Sequence, residues 1–194
     1  MKETATNVLV VGVGGQGAVM ATELTSEVAL LAGYDVKKGE VHGMSQRGGI
    51  IASHVRFGKN ITSPVIQKGE ADYILAFEAV EALRTVDYLK PDGTIIINEQ
   101  KIVPPIAHFL KIDYPDKIKE KLENGKRKVL IFNAFEKAVE LGSELLVNTL
   151  LLGVLSKQLE LPEKAWKEVL TIQFAKKMLD KNLKTFETGR AMKF

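Results

Sequence analysis

Val8-Leu9-Val10-Val11 is an unbroken apolar, β-branched run. Such runs form strands buried on both faces, as in a parallel sheet. A glycine turn follows it, then a helical segment from about Gln16 to Ala32 that stops at Gly33. Val36 opens a weaker second strand, and Gly39 to Gly49 reads as a glycine-rich polar loop. Ile50 to Phe57 is rich in β-branched and aromatic residues, which predicts a strand. Tyr73 to Phe77 predicts another buried strand, with a short helix around Glu81. Pro91-Asp92-Gly93 predicts a turn, because proline fixes φ and glycine permits positive φ. Thr94 to Asn98 and Val129 to Phe132 are the remaining predicted strands.

Strands alternate with helices as far as about Asn133. That order predicts an α/β fold, doubly wound, with a mostly parallel, Rossmann-like sheet. From Glu136 the pattern turns helical. Glu144 to Leu159 is apolar on most sides and predicts a buried helix. Leu161-Pro162-Glu163 starts another, with proline in its first turn, and a last helix covers about Phe174 to Glu187. Pro104-Pro105 marks a loop rather than a linker. The expectation is one domain over 1–194, with an α/β core over about 1–135 and a C-terminal helical segment over about 136–194.

Composition removes several function classes. A net charge of +3 gives no case for nucleic acid or a membrane surface. The lysines from Lys117 to Lys128 are interleaved with acids and read as solvated helix faces. With 0 cysteines, the chain supplies neither a disulfide, nor a cysteine nucleophile, nor a thiolate for an iron–sulfur cluster. Met1 to Asn7 lacks an apolar signal core, and the apolar stretch Leu145 to Leu155 is too short to span a bilayer. A cytoplasmic location is expected. The three histidines, His42, His54 and His108, lie in separate segments without metal-ligand spacing, so no metal site is expected.

Two motifs carry the chemistry. Gly12-Val13-Gly14-Gly15-Gln16-Gly17 has the GxGxxG spacing directly between a strand and a helix. There, glycines permit a tight turn, close approach of a ligand to the backbone, and close helix–strand packing. The helix N-terminus would face a phosphate or carboxylate with free N–H groups. The plain alternative is a tight strand–helix junction and nothing more. Dinucleotide binding also asks for an acid at the end of the second strand, about 20 residues on. Asp35 and Glu40 are near, but Lys37 and Lys38 intervene and no clear strand ends in an acid. This weakens a nicotinamide reading.

The second motif is Glu40-Val41-His42-Gly43-Met44-Ser45-Gln46-Arg47-Gly48-Gly49. It gathers an acid, an imidazole, a hydroxyl, an amide and a guanidinium between glycines that let the backbone come close to a partner or ligand. Arg47 can fork onto a carboxylate or phosphate, or instead brace the loop through Glu40. His42 can carry a proton, or instead make a structural hydrogen bond.

Together the two motifs resemble the gamma-type domain of 2-oxoacid:ferredoxin oxidoreductases. Gly12 to Gly17 is similar to that family's GxGGQG turn. Glu40 to Gly49 is similar to the EVHGMxQRGG loop of its indolepyruvate-type beta subunits. The resemblance runs on through Ser63-Pro64-Val65-Ile66, Ala71-Asp72, Phe77 to Ala82, Gly142 with Asn148, Leu152-Gly153 and Asn182 to Gly189.

The resemblance implies a subunit, inactive alone, of an enzyme that decarboxylates a 2-oxoacid oxidatively to acyl-CoA and CO2, with ferredoxin accepting the electrons. The loop points to an aryl pyruvate such as indolepyruvate. A large alpha subunit is the implied partner and carries the thiamine diphosphate and iron–sulfur clusters. Coenzyme A is a co-substrate, and this chain alone binds no cofactor. His42 and Arg47 become candidate catalytic residues. Gly12, Gly14, Gly15, Gln16, Gly17, Gln46 and Gly48 become candidate binding residues. Two alternatives stand: a gamma subunit of the pyruvate or 2-oxoglutarate type, and a self-sufficient NAD(P)-binding oxidoreductase.

Overall fold

The computed structural model describes residues 4–42, 49–101, 115, 117–123 and 126–194. Strands β1 (Thr6–Val13), β2 (Asp35–His42), β3 (Ile50–Gly58), β4 (Ala71–Ala76), β5 (Leu89–Asn98) and β6 (Lys128–Phe132) form one sheet in the order β2-β3-β1-β4-β5-β6. Strands β1, β4, β5 and β6 pair in parallel, and β3 runs antiparallel to both β1 and β2. Helices α1 (Ala18–Leu31), α2 (Ala79–Thr85), α3 (Ile118–Leu122), α4 (Ala134–Glu140), α5 (Val147–Gln158), α6 (Glu163–Gln173) and α7 (Lys176–Ala191) cover it.

The buried run in β1 feeds two cores because successive side chains leave a strand on opposite faces. Val8 and Val10 join Leu75, Ile96 and Leu130 under α1 and the C-terminal helices. Leu9 and Val11 join Ile74, Ala76, Ile95 and Ile97 under the short helices α2 and α3. The sheet is thus covered on both faces, as expected for a doubly wound fold.

The helical segment forms the thicker of the two outer layers. Helix α5 is buried along nearly all its length and crosses α7 at Gly153 and Gly189. A Cβ at Gly153 would lie 2.3 Å from the Phe186 carbonyl oxygen, and one at Gly189 would lie 2.3 Å from that of Leu150. Only glycine allows backbones to approach so closely. Trp166 of α6 and Phe186 of α7 stack nearby, both buried.

Several sequence expectations change. Gly39 to His42 belong to β2 rather than to a loop, because β3 pairs with them up to His42 opposite Ile51. Ladder hydrogen bonds there outweigh the weak strand preference of glycine and the charged residues. Pro91-Asp92-Gly93 is not a separate turn but part of β5, where the register slips between Ala71 and Tyr73. Gly93 leaves room for Leu89, whose Cδ1 would lie 2.7 Å from an added Cβ. Glu144 to Leu146 form a 3-10 turn ahead of α5. Pro162 caps α6 rather than sitting inside its first turn. The last helix runs later than expected, Lys176–Ala191. Pro104-Pro105 lies outside the described residues.

Candidate functional site

The parallel strands β1, β4, β5 and β6 all end at one edge of the sheet, and β3 begins there. Ligands of open α/β sheets bind outside that edge. The glycine turn lies on it. Gly15 (φ 101°) and Gly17 (φ 87°) take the left-handed conformation that favours glycine, and Gly17 caps α1 without any side-chain cap bond. Helix α1 has no acid in its first turn.

Gln16 folds back over the turn. Its Oε1 accepts from Val13 N–H (2.8 Å), and its Nε2 donates to the Phe77 carbonyl (3.0 Å) and to Gln100 Oε1 (3.3 Å). Gly12 makes this possible, since a Cβ there would lie 2.9 Å from Phe77 Cβ and 3.0 Å from Gln16 Oε1. Asn98, fully buried at the end of β5, completes the arrangement. Its Nδ2 donates to the Phe77 carbonyl (3.1 Å) and Gln100 Oε1 (3.2 Å), and its Oδ1 accepts from Ala134 N–H (2.9 Å) at the start of α4. From α5, Asn148 Nδ2 donates to the Gly17 carbonyl at 2.6 Å. A cleft of roughly 330 Å³ opens beside this group. Gly15, Gln16, Gly17, Gln100, Glu144 and Asn148 line its polar part; Met20, Phe135, Leu145 and Val147 line the rest.

The acid required for nicotinamide recognition has no place to stand. In a dinucleotide fold the strand beside β1 ends near the turn, and its last residue reaches the ribose. Here that neighbour is β3, which runs the other way and starts near the turn. Gly14 N–H accordingly donates to the Gly49 carbonyl (2.9 Å), so the end of the polar loop, not an acid, meets the turn. Asp35 is opposite Gly58 at the far end of β2; it accepts from Lys37 and from Ile61 N–H, and the Lys37 ammonium holds its carboxyl below the ordinary value. Glu40 pairs with Ser53 one strand beyond β3.

Of the residues singled out from the sequence, Gly12, Gly14, Gly15, Gln16 and Gly17 come together in the turn. His42 ends β2, opposite Ile51. Gln46, Arg47 and Gly48 lie outside the described residues. Asn98 and Gln100 lie outside both sequence motifs. The signal that finds them is a polar Asn98-Glu99-Gln100 triplet closing the run Ile95-Ile96-Ile97.

His54 and Glu78 hold neighbouring backbone in place. His54 is buried, and its Nδ1 accepts from Ile66 N–H (3.1 Å). Burial pushes its pKa below the ordinary value, and the Arg56 cation adds to this. The Glu78 carboxylate caps α2 by accepting from Val80 and Glu81 N–H. Burial raises the Glu81 carboxyl above its ordinary value, against the opposing pull of Arg84. Among the described residues, no group of three His, Cys, Asp or Glu could hold a metal ion. Nor is any helix long and apolar enough to cross a membrane.

The family model described as pyruvate ferredoxin/flavodoxin oxidoreductase matches residues 7–192. The chain belongs to that family. Among its relatives is the indolepyruvate oxidoreductase subunit IorB of Thermococcus kodakarensis, 40% identical over 190 residues, covering 94% of this chain and 93% of the relative. The pyruvate/ketoisovalerate oxidoreductases common subunit gamma of Pyrococcus abyssi is 28% identical over 149 residues, covering 75% of this chain and 74% of the relative. The structure of 2-oxoglutarate:ferredoxin oxidoreductase from Magnetococcus marinus, with 2-oxoglutarate, coenzyme A and succinyl-CoA bound, shares the fold. Its TM-score is 0.78 at 22% identity, over 98% of this chain but only 31% of that one. In that enzyme the same fold is one part of a much longer polypeptide.

Proposed function

We propose that this chain is the small subunit of an indolepyruvate-type 2-oxoacid:ferredoxin oxidoreductase. The complex cleaves the bond between the carboxylate and the oxo carbon of an aryl pyruvate and releases CO2. The remaining acyl group passes to coenzyme A, and the electrons pass to ferredoxin. The observation that carries the reading is the near full-length likeness to the Thermococcus kodakarensis subunit, well above that to the pyruvate/ketoisovalerate gamma subunit. The HGMSQRGG loop supports the same branch.

The iron–sulfur clusters do not fit this chain, which has 0 cysteines to ligate them. They and the thiamine diphosphate belong to a large partner subunit, and the complex works in the cytoplasm. The small subunit contributes the sheet edge with its glycine turn and polar loop. The bond from Gly14 N–H to the Gly49 carbonyl joins one end of that loop to the turn, and His42, opposite Ile51 of β3, ends β2 at the same end of the sheet, which supports this reading. We assign Arg47 of the loop to an anionic oxygen of the 2-oxoacid or coenzyme A, His42 at the end of β2 to proton handling, and Gln46 and Gly48 of the loop to ligand approach. The antiparallel β3 beside the turn disfavours the nicotinamide alternative.

Reconstitution tests this. The chain alone should reduce no acceptor dye with indolepyruvate and coenzyme A, and addition of the large subunit should restore turnover. Equal or better kcat/KM with pyruvate or 2-oxoglutarate would move the enzyme to another branch. Turnover by the chain alone would overturn the subunit reading. Arg47→Ala should lower kcat/KM of the complex by about tenfold to a hundredfold, the worth of one charge-assisted hydrogen bond. Unchanged kcat/KM with a lower Tm would make Arg47 architectural.

A further inference from the structure

We propose that Gln100 is a ligand-contacting residue of the cleft, an N–H donor for an anionic oxygen, and that Asn98 and Gln16 are positioning residues that fix its polarity. This rests on the proposed function for the identity of the ligands but not for the geometry.

A carboxamide has one acceptor end and one donor end, and it presents to a ligand whichever end the protein leaves free. For Gln100 the protein uses the oxygen. Gln100 Oε1 accepts from Gln16 Nε2 at 3.3 Å and from Asn98 Nδ2 at 3.2 Å. Rotating the amide by half a turn would set its NH2 against two NH2 groups. The orientation of those two donors is fixed in turn. Asn98 Oδ1 is held by Ala134 N–H and Gln16 Oε1 by Val13 N–H, so neither side chain can turn over without losing a backbone partner. Both also donate to the Phe77 carbonyl. The polarity of Gln100 is therefore set by three backbone groups, Val13 N–H, Ala134 N–H and the Phe77 carbonyl, through two side chains. Its Nε2 makes no hydrogen bond among the described residues, and Gln100 lines the cleft.

A group with acceptor oxygens complements this donor. The cleft also borders the start of α1, which carries no side-chain cap, so its first N–H groups lack an internal acceptor. The one carboxylate on the lining, Glu144, is exposed at the rim, where water screens it. The ligand class is an anionic oxygen group, and the proposed reaction offers two: the carboxylate of the 2-oxoacid and a phosphate of coenzyme A.

The experiment uses the complex of this chain with its large subunit. Gln100→Glu keeps an oxygen for the two donors and replaces the NH2 by an oxygen; Gln100→Met removes both ends at similar size. The expected result is a rise in KM of about tenfold for Gln100→Met and more for Gln100→Glu, with kcat changed much less. A rise confined to the 2-oxoacid assigns its carboxylate; a rise confined to coenzyme A, and absent with pantetheine as acceptor, assigns a phosphate. As the test of positioning, Asn98→Asp should raise the same KM, because an acceptor then replaces the donor that orients Gln100. Unchanged KM values for both substrates in both Gln100 variants would overturn the proposal. Weaker assembly with unchanged KM would overturn it as well, and would place Gln100 against the large subunit. If the wild-type complex oxidises no 2-oxoacid, the functional reading fails and the cleft is judged separately. In that case the side-chain amide resonance of Gln100 in the full chain is followed during titration with inorganic phosphate and with pyruvate. Its displacement by either supports the donor assignment, and its indifference to both overturns it.

Discussion

At the N-terminal end of the parallel strands full charges pair with one another and with Asn7, whereas at the C-terminal end, beside the Glu78 cap of α2, the hydrogen bonding around the cleft is carried by carboxamides. The first end holds Asp72, which accepts from Lys90 and from Asn7 N–H, and Arg56, which donates to Asn7 Oδ1 and to the Ser63 and Val65 carbonyls. Asp35 ties down Ile61 N–H at the same end. The second end holds Gln16, Asn98, Gln100 and Asn148. Full charges partly exposed to water can be paired at little net cost or gain. Neutral amides can be buried with a fixed direction, and here they leave the Gln100 Nε2 donor and the buried Asn148 Oδ1 acceptor without partners among the described residues. The ionic end satisfies itself and fastens the segment over 61–66. The carboxamide end orders four strand termini and keeps a directed group for something outside the chain.

The sharpest way to break this contrast is Asn98→Leu. It strips the Phe77 carbonyl and Ala134 N–H of a buried partner, which should cost about 2–4 kcal/mol in urea unfolding and abolish most activity of the complex. A loss under 1 kcal/mol would show that the carboxamides are dispensable to the fold.

Gly17→Ala comes next. Its positive φ and an added Cβ 2.5 Å from Asn148 Nδ2 should together cost about 1–3 kcal/mol. Gly15→Ala is the comparison, because nothing lies within 4 Å of an added Cβ there and only the backbone strain remains. The difference between the two Tm shifts isolates the Asn148 clamp, and equal shifts would show that the clamp adds no stability.

At the ionic end, Asp72→Ala should cost about 1 kcal/mol, since its partner Lys90 is partly solvated. It should leave kcat and both KM values unchanged. A change in KM would mean that the two ends are coupled.

The smallest effect is expected from pH. His54 is held neutral because burial and Arg56 lower its folded pKa, and its Nδ1 must stay unprotonated to accept from Ile66 N–H. The unfolded chain therefore takes up a proton before the folded one does. The stabilisation is fully present above the ordinary histidine pKa of about 6.5 and is lost as pH falls below it toward the lowered folded value. Tm measured from pH 7.5 to 5 should decline in the wild type and decline less in His54→Gln. Parallel declines in both would exclude His54 as the cause.

Local pattern alone located most elements. The four-residue apolar run of β1, the helix ended by Gly33 and the β4 and β5 runs stand where periodicity puts them, because burial on both faces leaves a continuous apolar signature. The glycine turn was legible for a similar reason, as positive φ at Gly15 and Gly17 admits few other residues. The extent of β2 was not legible, since Lys37, Lys38 and Gly39 carry little strand preference and are held by pairing with β3. The site was half legible. Gln16 lies inside a recognisable motif, but Asn98, Gln100 and Asn148 reach it from 82 to 132 residues away in the chain.

What the sequence determined by itself was the class of fold, the strand–turn–helix that opens it, the absence of cysteine ligands and the family likeness. Each is written in local spacing or in composition. Strand order, the reversal of β3 and the polarity of Gln100 were decided only by the tertiary structure. A strand's neighbour depends on chain-wide packing, and a carboxamide's direction depends on which donors other segments bring to it, so neither leaves a signature in the residues nearby.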